Sequence, residues 1–225
     1  MRCFALIVIS LFAPLAIASE SVCYGTTAIG RLEGGVQLPS SGENFLSYGP
    51  VPERAGRTYV HSKVRDVVVA AYKILEKEEP SKLFKYAGTG FKEGGEFKPH
   101  KTHRNGLSVD FMVPVVDEDG RSVPIRTDPF NRYGYGIEFD KKGVYDDYRI
   151  DFDAMGAHLR ALDMAAKRQG IGIWRVLFDP SLQLLLYKSK HGSYIQANIK
   201  IPKKRSWVRH DEHYHVDFLV ECKPM

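Results

Sequence analysis

The chain has 225 residues, 44% of them hydrophobic and 26% charged, with a formal net charge of +5. That length suits one domain with a good-sized core. The basic balance favours acidic surfaces and substrates, yet the cations are scattered and no nucleic-acid motif accompanies them, which weighs against nucleic acid as a partner.

The first residues read as an export signal. Met1-Arg2 supplies positive charge, Cys3 to Ala18 is an apolar run, and Ala16-Ile17-Ala18 is a small-x-small site, so cleavage before Ser19 is expected. The run falls short of the roughly 20 apolar residues that span a bilayer and contains Pro14, so no stable membrane insertion is expected; no later segment reaches that length. The signal then occupies residues 1–18 and one domain occupies 19–225. Cys23 and Cys222 remain near the two ends. An oxidising compartment allows them a single intramolecular pairing, with two free thiols as the alternative.

Residues 19–60, rich in Gly, Ser and Pro, read as a long irregular wrap. Val64, Val67, Val68, Ala71, Ile74 and Leu75 recur at helical spacing and predict a helix over 62–78, stopped by Pro80. Leu83 to Ala87 predicts a short strand, after which Gly88, Gly90, Gly94 and Gly95 mark a mobile loop leading to His100. The β-branched content of Leu107 to Val116 predicts a strand ended by the turn Asp117-Glu118-Asp119-Gly120. Residues 121–150 read as an inserted hairpin or loop, in which Tyr133 and Tyr135 serve packing or line a groove. Asp153 to Gln169 predicts the longest helix, with His158 at its surface, and Ile171 to Phe178 a strand. Asp179-Pro180-Ser181 opens a short helix to Lys188, and His213 to Glu221 alternates as a final strand. Helices and strands mix without regular alternation, which places the chain in the α+β class. The basic run Lys200 to Arg209 is either a solvated loop or the wall of a groove for an acidic substrate.

Five of the eight histidines fall in two short segments, His100 to Asp110 and His210 to His215. Imidazole nitrogen and carboxylate oxygen are the donors zinc prefers. On the final strand, period-two alternation puts His213, His215 and Asp217 on one face and Tyr214, Val216 and Phe218 on the other. Asp110 likewise faces away from apolar Val109 and Phe111, and His103 lies in the loop before it. If the two strands are neighbours, His103, Asp110 and one or two of the C-terminal histidines meet over the sheet. Three protein ligands with a fourth position open to water is the pattern of catalytic zinc. The alternative is a set of satisfied polar loop residues. No His-Glu-x-x-His, Gly-x-Ser-x-Gly or Ser-x-x-Lys motif competes. His61 and His191 are ordinary by this reading, and Trp174 and Trp207 are candidates for the core or a cleft rim.

His100-x-x-His103-x-x-Gly106-x-x-x-Asp110, preceded by Gly94-Gly95 and followed by His213-x-His215, resembles the penicillin-insensitive murein endopeptidases. They are zinc peptidases related to the lysostaphin-type and D-alanyl-D-alanine metallopeptidases. The likeness extends to Cys23-Tyr24-Gly25-Thr26, Leu38-Pro39 and Gly56 to His61. It implies a single α+β domain whose small, mainly antiparallel sheet is flanked by helices and carries a Zn2+ site. It makes His103, Asp110 and His215 the ligands and His213 the catalytic histidine, with His100 and His210 lining the cleft. The substrate it implies is peptidoglycan, cut between D-alanine and meso-diaminopimelate in its stem peptides, in the periplasm or outside the cell. Glu212 competes with His213 as base, and Asp217 is either an orienting partner of His215 or an ion-paired surface group. A peptidoglycan-binding module without catalysis and an exported cell-wall toxin with the same chemistry are the rival readings.

Overall fold

The computed structural model describes residues 20–225, so the expected signal segment lies outside the described residues. Ser62–Glu78 (α1) is helical over the whole predicted span and buries Val64, Val67, Val68, Ala71, Tyr72 and Leu75. His61, expected to be ordinary, caps it: its side chain accepts from the Lys63 backbone N–H at 3.2 Å. Phe152–Arg168 (α2) begins one residue earlier than predicted because Asp151 is its N-cap and accepts from the Ala154 N–H. The two helices pack against each other.

They cover one face of a five-stranded sheet. Its strands are Phe45–Ser47 (β1), Phe84–Tyr86 (β2), Ser108–Met112 (β3), Gly172–Leu177 (β4) and His213–Leu219 (β5), in the spatial order β4-β5-β3-β2-β1. Every pairing is antiparallel except β1 with β2. Phe84, Phe111, Tyr214, Val216 and Phe218 fill the core from the sheet side. The opposite face carries the polar side chains considered below. The fold is therefore α+β with a mainly antiparallel sheet, and among the described residues no helix is long and apolar enough to cross a membrane.

Four local expectations are corrected. The predicted strand 107–116 is two strands, because Pro114 has no N–H for the ladder and its carbonyl accepts from Asp151 N instead. Val115–Val116 joins a second, four-stranded sheet with Ser122–Val123, Val144–Tyr145 and Tyr148–Ile150. Residues 19–60 are less irregular than expected. Val22–Gly25 pairs with Gly30–Glu33, Val36–Gln37 pairs with Tyr59–Val60, and β1 forms the sheet edge. Pieces of two to four residues are too short to show a period. His158 is not at the surface of α2: it is fully buried, stacked on Tyr72 and Phe84 and hydrogen-bonded through Nδ1 to the Tyr214 hydroxyl.

Lastly, the glycine-rich approach to His100 is tied down. Leu32 N donates to Glu93 O, Tyr59 N to Gly90 O and Gly95 N to Arg104 O. Gly94 has φ +70, and a Cβ there would lie 2.3 Å from the Arg104 carbonyl, so only glycine allows the approach. Cys23 and Cys222 form the expected disulfide, flanked by Gly25 N to Lys223 O and Lys223 N to Cys23 O.

Candidate metal centre

β3 and β5 are neighbours, with His215 opposite Asp110 and Asp217 opposite Ser108. Residues paired across antiparallel strands share a face, so register alone brings these side chains together. Their face is buried: Asp110, His213, His215 and Asp217 are each at most 4% exposed.

Asp110 is the hub. Its Oδ1 lies 2.8 Å from His215 Nδ1, 3.2 Å from His103 Nε2 and 3.8 Å from His213 Nε2. Its Oδ2 accepts the Tyr135 hydroxyl at 2.7 Å and lies 3.5 Å from His100 Nδ1. Burial alone would raise this carboxyl, but His103, His213 and His215 hold it well below the usual carboxylate range.

His103 has φ 69, a left-handed conformation rarely adopted by residues with a Cβ. Its Nδ1–H donates to the Thr89 carbonyl at 3.0 Å, since a carbonyl can only accept. The Nε2 lone pair is therefore free, and that atom is buried without a hydrogen-bond partner. An orphaned buried nitrogen facing a carboxylate oxygen is a donor pair that a metal ion would satisfy.

His215 is held from behind. Its Nε2–H donates to Asp217 Oδ1 at 2.8 Å, leaving Nδ1 aimed at Asp110. Asp217 also accepts from Ser108 Oγ at 2.6 Å and Arg175 Nε at 2.7 Å. Burial opposes a charge on His215, but Asp217 and Asp110 outweigh it and raise its pKa to about 10. So negative an enclosure favours a cation. Asp217 is thus both an orienting partner and an ion-paired group, and it is buried.

His213 gives its Nδ1–H to Glu212 Oε1 at 2.8 Å, and its Nε2 turns toward Asp110. Burial lowers His213, yet Glu212 and Asp110 bring it above its ordinary value. Glu212 precedes the regular strand, so it bends back to its neighbour rather than pointing away. His210 donates from Nδ1 to the Val208 carbonyl, and its ring stands 4.9 Å from that of His213. Burial pushes His100 and His210 each down to about 3, so both are neutral near pH 7.

The arrangement brings all six predicted histidine and aspartate residues to one place. His100, His103 and Asp110 offer ligand atoms that lie within 4.8 Å of one another. That compact set shares His103 and Asp110 with the predicted ligands and has His100 in place of His215.

The centre opens onto a cleft of about 1070 Å³. Trp207, 55% exposed and stacked under the Lys101 ammonium, stands on its rim with Lys204 and Arg205, so the basic run does form a cleft wall. Trp174, 45% exposed, is no core residue either. Tyr135, expected to serve packing or line a groove, does line the cleft, and its contact with Asp110 is what the sequence did not indicate. Burial keeps its phenol protonated, so it donates to Asp110 while accepting from Gly88 N. Its only sequence signal was its place among glycines, of which Gly134 needs φ +97.

The penicillin-insensitive murein endopeptidase family matches residues 23–224, nearly the whole chain. No curated protein matches the chain. The chain belongs to the penicillin-insensitive murein endopeptidase family.

Proposed function

On the premise of that membership, we propose that this chain is an exported, zinc-dependent peptidoglycan endopeptidase that hydrolyses D-alanyl–meso-diaminopimelate cross-links. Residues 19–225 form its one domain, which acts in the periplasm or outside the cell after loss of residues 1–18. The observation that carries the zinc reading is the buried, unpartnered His103 Nε2 facing Asp110 Oδ1. The proposed ligands are His103 Nε2, Asp110 Oδ1 and His215 Nδ1, since three ligands leave a position open for solvent. The set with His100 is less favoured. His100 stands at the Asp110 oxygen that Tyr135 already occupies, whereas the other two imidazoles gather on Oδ1.

Bound zinc would lower the pKa of water toward roughly 7 and polarise the scissile carbonyl. The chain's residues do the rest. Tyr135 ties up Asp110 Oδ2, which keeps that carboxylate to one free oxygen. His213, with Nδ1–H held by Glu212, has the Nε2 lone pair free to take a proton from the attacking water and return it to the departing amine. Glu212 stabilises the imidazolium formed between those events. Neutral His100 flanks the centre and can donate to the developing oxyanion, whereas His210, whose single N–H is given to the Val208 carbonyl, presents only an acceptor nitrogen there.

The test is digestion of defined cross-linked muropeptides with mass analysis of the products, with and without chelator. Cleavage between D-alanine and meso-diaminopimelate that stops on chelation and returns with zinc is expected. His103→Ala, Asp110→Ala and His215→Ala should each lose zinc and activity, while His100→Ala keeps zinc. Cleavage that survives complete removal of metal would overturn the reading.

A further inference from the structure

The cations lining the cleft fall into two groups. Arg175, Arg209 and Lys98 are paired with Asp217, Asp211 and Glu96. Arg57, Lys101, Arg132, Lys204 and Arg205 have no ion-pair partner among the described residues. Four of the five are exposed and solvated; Arg57 alone is half-buried.

Arg57 is also held in place. Its backbone N donates to Pro52 O and its carbonyl accepts from Thr89 N. Its Nη2 donates to the Lys98 carbonyl at 2.9 Å, and its guanidinium carbon lies 4.0 Å from the centre of the Phe97 ring. Phe97 in turn touches the rings of His100 and His103, at 5.2 and 5.3 Å. Arg57 therefore stands one aromatic ring from the metal centre. It is a planar donor fork with most of its N–H groups unspent and its side-chain entropy already lost. A partly desolvated cation so arranged is matched by a carboxylate, which the fork binds through two parallel hydrogen bonds.

We propose that Arg57 is the carboxylate-binding residue of the cleft and that it holds the free carboxylate next to the scissile amide on the amine side. This rests on the endopeptidase reading, because in a D-alanyl–meso-diaminopimelate link the carbon carrying the acylated amine also carries a carboxylate. A bond whose amine side ends in an amide, as in an ordinary protein chain, offers Arg57 no charge. Arg57 thus selects for cell-wall cross-links over polypeptides.

The experiment uses two cross-linked muropeptide dimers that differ only in whether that carboxylate is free or amidated. Charged hydrogen bonds are worth about 1.5–3 kcal/mol, so Arg57→Ala should lose roughly 10- to 100-fold in kcat/KM on the free acid, mainly through KM. Its loss on the amide should be several-fold smaller. Arg57→Lys, which keeps the charge on a shorter side chain without the planar fork, should recover part of the difference and guards against misfolding. Calorimetric binding of both dimers to chelator-treated protein should show the same preference for the free acid, abolished in Arg57→Ala. Equal losses on both dimers, or a preference that persists without Arg57, would overturn the proposal. Should the zinc-loaded wild type cut neither dimer, the endopeptidase reading falls, and the binding comparison still decides Arg57.

Discussion

Asp217 makes three hydrogen bonds while fully buried, to His215, Ser108 and Arg175. Burial opposes its charge, but His215, with Ser108 and Arg175, keeps it anionic, and the anion fixes which nitrogen of His215 faces Asp110. Removing that charge leaves His215 free to change tautomer, and partners of this kind are typically worth 10- to 100-fold in metal affinity. Asp217→Asn should therefore weaken zinc binding by roughly that factor, read by competition with a chromogenic chelator; unchanged affinity would reduce Asp217 to a packing role. Glu212 plays the same part for His213, at 2.8 Å, without facing the proposed ligands. Glu212→Ala should keep zinc yet lower kcat on the order of 100-fold, since His213 then rotates away from the proton it must move. Zinc loss in that variant would place Glu212 in the metal site instead.

The strands and helices show which kinds of pattern a sequence carries. Alternation along His213 to Phe218 separated the metal face from the core face, and helical period located α1 and α2 to within a residue. Pro114, by contrast, splits a continuous β-branched run through the loss of one N–H, which composition hides. His158 was misread for another reason. An amphipathic helix is assumed to keep one face in water, but α2 is covered by α1, β4 and the short helices Gln183–Tyr187 and Gly192–Asn198. Burial lowers His158 from 6.5 to about 3. The unfolded chain binds its proton below pH 6.5 and the folded chain only near pH 3. This group's contribution is therefore intact above pH 6.5 and is lost as the pH falls, by up to about 1.4 kcal/mol per pH unit. Urea denaturation at pH 7 and pH 4.5 should show wild type losing about 2 kcal/mol more than His158→Gln between those conditions. Equal losses would mean that His158 is protonated in the folded protein.

Across the whole molecule the two ends of the described domain converge at the disulfide, whose cysteines are 199 residues apart in sequence. Composition alone made that pairing legible, because two cysteines offer one partner each. What composition did not reveal is that the bridge lies beside the centre: Cys222 Sγ accepts from Asn105 Nδ2 at 3.6 Å, two residues after His103. The flanking hydrogen bonds through Lys223 seal the strand Val22–Gly25 onto the segment leaving β5. Cutting the bridge releases the loop-closure constraint on nearly the entire unfolded chain, a change worth about 2–5 kcal/mol. For a domain of this size that corresponds to a melting midpoint lower by about 5–15 °C. The double variant Cys23→Ser, Cys222→Ser should show that drop by differential scanning calorimetry, and reductant should reproduce it in the wild type. Below the new midpoint the variant should still bind zinc, because the β3–β5 register and the bond from His103 Nδ1–H to the Thr89 carbonyl do not pass through sulfur. A midpoint that does not move would mean that the backbone bonds at Gly25 and Lys223 already hold the ends together.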